Sequence, residues 1–191
     1  MSNTISRKDE IRNAAAKLFG EKGFAASSVR DIANAVGLGA ASLYNHMDSK
    51  DDLLTTICFR CAESFSEGME TIDSSAKNPL EKIEALIRLH IQIALHDKSS
   101  ITVFNDEWRH LQEPFISSFL QLRRMYESTY LRIIREGMDQ QLLEKRDPLL
   151  VYQLILSSLR WLHQPRVKKL KGSETEITEQ IISLLIKGIS L

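Results

Sequence analysis

Apolar residues recur along this chain at three- and four-residue intervals, and no alternating strand pattern bounded by turns is evident. Ile11, Ala14, Ala15, Leu18 and Phe19 share one face of a first helix, predicted to start after the cap Ser6 and run to about Lys22. Gly20 and Gly23 offer its exit. A second helix starts at Ser28, with Asp31 three residues on as a capping box. A third covers about Ala40 to His46, and a fourth begins at Ser49, with Asp52 three residues on, and reaches about Ile72. Asn78-Pro79 opens a fifth, to about His96, because proline suits the first helical position. A shorter helix over about Ser100 to Leu111 follows, then a long one after Pro114 to about Met138. Asp147-Pro148 opens the next, ending near Pro165, and Ser173 with Glu176 caps the last, which closes near Gly188. The pattern predicts an all-α fold of about nine helices. Short helices occupy 1–50, and longer amphipathic ones over 51–191 must pack as a bundle.

The second and third helices, joined through Gly37-Leu38-Gly39, fit a helix-turn-helix. Ile32, Ala33 and Val36 face its core, Gly37 supplies a turn residue that tolerates positive φ, Leu43 anchors the third helix and Phe19 closes the core. The outer face of the third helix is then free, and it is small and nearly uncharged. A helix with that face approaches base edges in a major groove closely. Charge agrees only locally: 25 basic residues balance 25 acidic ones over the 191-residue chain, but residues 1–50 carry a net +2. A chain strongly basic overall is excluded, so any nucleic-acid contact must be local, and the small asymmetry favours the N-terminal end. No signal peptide and no membrane helix are read, and two cysteines make no disulfide framework, so a cytoplasmic protein is expected.

The run "IRNAAAKLFGEKGF…SSVRDIANAVGLGAASLYNHMDSKDDLL" resembles the N-terminal domain of TetR-type transcriptional regulators. The match covers about residues 7 to 55: the Ala-Leu-Phe helix, the Gly-Phe loop, "VRDIA", "VG", "LYNH" and "SK-DLL" in order. The resemblance implies an all-α homodimer whose N-terminal helices bind double-stranded operator DNA. Its C-terminal helices are implied to dimerise and to bind a small-molecule inducer, with no cofactor or metal. By motif position, Ser28, Ser42, Tyr44, His46 and Lys50 look like phosphate contacts, and Gly39, Ala40, Ala41 and Asn45 look base-facing. Asn45 is of the type that bonds adenine through two contacts, and alanines touch thymine methyls, so an A/T-leaning half-site is expected. Many members have Ser-Lys/Arg-Gly where this chain has Gly39-Ala40-Ala41, and a phenylalanine where it has Met47.

The last two helices are apolar on more than one face. Leu150, Leu154, Ile155, Leu159, Trp161 and Leu162 lie on one, and Ile181, Ile182, Leu184, Leu185, Ile186 and Ile189 on the other. A monomer buries one face of each, so a two-fold partner through these helices is expected. Large apolar groups of the middle bundle with a few polar ones are candidates for an inducer site: Phe65, Met69, His90, Phe104, Asn105, Trp108, Phe119, Tyr126 and Trp161. Beyond the heads, "FNDEWRHL…LRWLHQP" resembles regulators of fatty-acid, aromatic-acid or steroid breakdown that answer to acyl-CoA thioesters. In that reading Arg166, Lys168, Lys169 and Lys171 neutralise CoA phosphates; otherwise they form a solvated loop.

Two other readings need weighing. Cys58 and Cys61 form a C-x-x-C on one helix face, a pattern open to redox sensing, to metal binding or to plain packing. Glu107 and His110 match one half of a di-iron helix-bundle motif, which an oxidase would need twice.

Overall fold

The computed structural model describes residues 6–164, 167 and 169–190. Nine α-helices are found among them: α1 Arg7–Lys22, α2 Val29–Ala35, α3 Ala40–Leu43, α4 Lys50–Asp73, α5 Pro79–His96, α6 Lys98–Asp106, α7 Phe115–Asp139, α8 Pro148–Leu159 and α9 Glu174–Lys187. Two short 3-10 turns, Trp108–His110 and Arg160–His163, follow α6 and α8.

The helices start where side chains can satisfy free backbone N–H groups. Ser6 accepts from Asp9, Ser49 from Asp52 and Asp147 from Leu149. Complete capping boxes stand at Ser28/Asp31, Asn78/Glu81 and Ser173/Glu176. Pro114 directly precedes α7, and Pro148 is its helix's first residue. The sequence reading is shortened in three places. The third helix ends at Leu43, and a turn carries the chain through His46. The sixth and eighth each end in a 3-10 turn.

Two compact units form. The first joins residues up to 63 to residues 97–121, so it holds α1, α2, α3, the first part of α4, α6 and the start of α7. Its core includes Ile11, Ala15, Ala16, Phe19, Ile32, Ala33, Leu43, Leu54, Ile57 and Phe119. The α1 face differs slightly from expectation: Ala16 is buried, while Ala14 and Leu18 are half-buried. The reason is that α1 packs on both α2 and α6, which widens its apolar face.

The second unit joins residues 64–96 to 122–190. There α5 packs against α8 and α9, and Arg88 of α5 bonds Glu179 of α9 at 2.6 Å. Arg132 of α7 bonds Asp73 at the end of α4 at 2.5 Å. Glu144 N–H donates to Ile189 O at 3.0 Å, which ties the chain's end to the loop after α7.

Candidate nucleic-acid interface

The helix-turn-helix is built as its residues dictate. Ser28 accepts from the Asp31 N–H at 3.1 Å, and Asp31 accepts from the Ser28 N–H at 2.9 Å. The Ser28 bonds also hold the Asp31 carboxyl below its usual pKa. Gly37 has φ +67°, the left-handed geometry the tight turn requires and a side chain would resist. Arg7 donates to Val36 O at 2.8 Å, pinning the end of α2 to the start of α1. Beyond the turn Leu43 is fully buried and Met47 nearly so. These two anchors fix how the segment from Gly39 to Met47 is turned.

What they leave outside is the face in question. Gly39, Ala40, Ala41, Ser42, Tyr44 and Asn45 are exposed, and His46 is half-buried. Tyr44 is 55% exposed, so it does not pack the domain core. Gly39 gives α3 no side-chain cap, and a Cβ there would meet nothing within 4 Å. No charge stands on residues 39 to 45, and a close-approaching surface of backbone, methyls, a hydroxyl, a phenol and an amide results.

Lys50 has a role that sequence position did not show. Its ammonium donates to Phe24 O and to Ser27 O, both at 2.9 Å, and sits 4.1 Å from the centre of the Phe24 ring. Phe24 packs edge-on against Phe19 at 5.1 Å, and its N–H donates to the Glu107 carboxylate at 3.0 Å. The loop entering α2 is therefore clamped from α4 by Lys50 and from the segment after α6 by Glu107. A long-range carbonyl clamp of this kind leaves no local pattern in a sequence.

The family models agree with this geometry. The chain matches the bacterial regulatory proteins, tetR family, over residues 11–57. It matches the tetracyclin repressor-like C-terminal domain over 76–189. The chain belongs to the TetR family. It is a DNA-binding transcriptional regulator with a helix-turn-helix. Among its relatives is the HTH-type transcriptional repressor KstR2 of Mycolicibacterium smegmatis, 27% identical over 99% of this chain and 93% of that protein. The solved structure of the ketosteroid transcriptional regulator KstR2 of Mycobacterium tuberculosis superposes with a TM-score of 0.89 over 97% of this chain and 96% of that one, at 23% identity. The structure of AibR in complex with isovaleryl coenzyme A and operator DNA superposes with a TM-score of 0.82 over 95% and 98%, at 20% identity. At these identities the two structures show the fold.

The inducer candidates separate by unit. In the first, Phe119 is fully buried, stacks on Trp108 at 6.0 Å and meets Phe104 edge-on at 5.5 Å; Asn105 lies beside them in sequence, half-buried. In the second, Phe65 lies 4.6 Å from His90, and His90 Nε2 bonds the Tyr126 hydroxyl at 2.8 Å. Burial pushes the His90 pKa down to about 4, so the ring is neutral at pH 7. Met69 is buried in the same unit and Trp161 is half-buried on the turn after α8. Sequence reasoning missed Tyr130, one helical turn beyond Tyr126. It has no exposed surface, and its hydroxyl has no hydrogen-bond partner among the described residues.

The other chemistries fare poorly. Cys58 is fully buried and Cys61 nearly so, and burial pushes both thiols up to about 12, which suppresses the reactive thiolate. That is the signature of packing, and it removes the physical basis of the redox reading. Glu107 is occupied by the Phe24 N–H and stands 3.5 Å from His110 Nε2. Among the described residues no three His, Cys, Asp or Glu side chains gather to hold a metal, and no helix is long and apolar enough to cross a membrane. Of the basic run, Arg166 and Lys168 lie outside the described residues, as does Pro165, while Lys169 and Lys171 are exposed.

Proposed function

We propose that this chain is a repressor that binds operator DNA as a homodimer and leaves it when a small hydrophobic or acyl-CoA-type inducer binds. The observation that carries the DNA part is the exposed, uncharged face from Gly39 to Asn45, anchored by the buried Leu43 within it and Met47 just beyond it. Gly39, Ala40, Ala41 and Asn45 face bases in the major groove, and Ser28, Ser42, Tyr44, His46 and Lys50 meet phosphates. An ammonium has three N–H donors, and two of Lys50's are engaged with carbonyls, so one serves a phosphate.

The functional division falls at about residue 50, with DNA contacts before it and inducer and dimer contacts after it. Exposed leucines support the dimer: Leu149, Leu150 and Leu154 on α8 and Leu184 on α9. The relatives support the inducer class, since one solved neighbour holds isovaleryl coenzyme A and another is named for ketosteroids. The groups that meet it are Phe65, Met69, His90 and Tyr126, with Trp161, in the second unit, or else Phe104, Asn105, Trp108 and Phe119 in the first. α4 runs from one compact unit into the other, so an inducer that shifts α4 alters the heads. A coupling of about 1–3 kcal/mol is the ordinary scale of such an effect.

The test is salt dependence on a duplex selected from a random-sequence pool. Affinity falls steeply with salt in the wild type. Asn45→Ala relaxes base preference and leaves the slope unchanged, while Lys50→Ala flattens it by about one unit. An unchanged slope in Lys50→Ala confines that ammonium to its two carbonyls. The absence of any sequence-selective duplex overturns the regulator.

A further inference from the structure

The second unit contains a polar cluster that packing does not explain. His90 from α5, Tyr126 and Tyr130 from α7 and Tyr152 from α8 converge there, with Phe65 from α4 lying 4.6 Å from the imidazole at 32°. Tyr130 lies 6.2 Å from Tyr126 and 5.4 Å from Tyr152, centre to centre. His90 and Tyr126 satisfy each other at 2.8 Å. The Tyr130 hydroxyl is satisfied by nothing among the described residues. A phenylalanine would fill the same volume without stranding a donor, so the oxygen is present for a partner the bare chain lacks.

The chemistry of that partner follows from the cluster. Burial keeps all three phenols protonated: it raises Tyr126 and Tyr130 well above their ordinary value and pushes Tyr152 up to about 12. Burial also keeps His90 uncharged. The cluster therefore offers O–H donors and no cation. Arg123 and Glu127 both bear on Tyr152, with opposite signs and the glutamate the stronger. A carboxylate brought here would lose its water and find no counter-charge, whereas an uncharged oxygen acceptor would complete the Tyr130 bond.

Resting on the reading of this chain as a ligand-responsive regulator, we propose that Tyr130 and the Tyr126–His90 pair seat the polar end of an apolar ligand bearing one uncharged acceptor, a ketone or thioester carbonyl. Tyr130 has no open surface, whereas Tyr126 and His90 are half-buried. The ligand enters past the half-buried Tyr126 and His90, which keep their bond to each other, and its carbonyl accepts from the Tyr130 hydroxyl.

Three matched probes test this on the full chain by calorimetric titration: acetophenone, with a neutral acceptor; ethylbenzene, with none; and benzoate, with a charged one. Acetophenone is expected to bind about tenfold more tightly than either comparator, the ratio one added hydrogen bond supplies. Tyr130→Phe is expected to reduce acetophenone to the level of ethylbenzene, to leave ethylbenzene unchanged, and to leave the melting temperature equal or higher. Equal affinity for the three probes, binding of none, or undiminished acetophenone binding by Tyr130→Phe overturns the seat. A lowered melting temperature with unchanged ketone affinity also overturns it, showing a hydroxyl satisfied by buried water. Duplex binding measured in parallel separates the two failures. A ketone bound through Tyr130 that leaves duplex affinity unmoved contradicts ligand responsiveness and not the seat. A compound extracted from the purified protein that releases DNA from wild type and Tyr130→Phe alike contradicts the seat and not the regulator.

Discussion

At the scale of single residues, burial decides which side chains do chemistry here and which do not. The two cysteines look reactive in one dimension and are inert in three, because the core that surrounds them raises their thiol pKa to about 12. His90 is the reverse case, an ordinary-looking histidine whose protonation is costly. Its folded pKa of about 4 lies below the unencumbered 6.5, so the unfolded chain binds the proton more readily. The stabilising contribution is complete above pH 6.5 and is lost as pH falls toward 4; in full it amounts to about 3 kcal/mol. Urea denaturation across that range is expected to show wild type losing more stability than His90→Gln. Parallel curves would mean that His90 titrates as freely in the folded protein as in solution. Lys50 adds a third lesson: a residue proposed to meet a phosphate also holds two carbonyls of the loop that carries Ser28.

At the scale of elements, the helix starts were legible because they are local. Ser6, Ser28, Ser49, Asn78, Asp147 and Ser173 are side-chain caps within three residues of what they cap, and the helices begin where those residues stand. The helix-turn-helix was legible for the same reason, since Gly37 and the buried Ile32, Ala33, Val36 and Leu43 are read at fixed spacing. What was not legible is long-range. Nothing near Ala16 signals that α1 packs on α6 as well as on α2, and the Glu107 bond to Phe24 spans 83 residues. The shortness of α3 was missed too, since its periodic residues continue past the point where the chain turns. Tyr130 escaped because a tyrosine at helical spacing in a bundle reads as core, and only its unpartnered hydroxyl distinguishes it. Close packing between elements can be tested at Gly137 of α7. A Cβ there would lie 2.8 Å from Leu143, which is almost fully buried, and 3.3 Å from Pro79, which cannot rotate away. Gly137→Ala is expected to lower stability by about 1–3 kcal/mol in thermal unfolding despite alanine's higher helix propensity. A rise in melting temperature would show that Leu143 gives way freely.

At the scale of the whole molecule, the proposed function depends on a second copy. Leu154 is 61% exposed on α8 and Leu184 is 75% exposed on α9, an arrangement that water disfavours and a two-fold partner relieves. Leu154→Glu is expected to convert the dimer to monomer in sedimentation velocity. Duplex affinity should fall on the order of a hundredfold, since each head then binds alone. A variant that sediments and binds DNA as the wild type does would place the interface elsewhere. The central claim is that two uncharged α3 faces enter successive major grooves. It is tested most directly by scanning a selected duplex with two base analogues that alter only the major groove: 7-deazaadenine, which removes an acceptor from Asn45, and uracil for thymine, which removes a methyl from Ala40 and Ala41. The account predicts affinity losses in two clusters related by two-fold symmetry and centred about 10 base pairs, or a multiple of that, apart. A scan in which neither analogue weakens binding, or in which losses fall in one cluster without a symmetric mate, would contradict it.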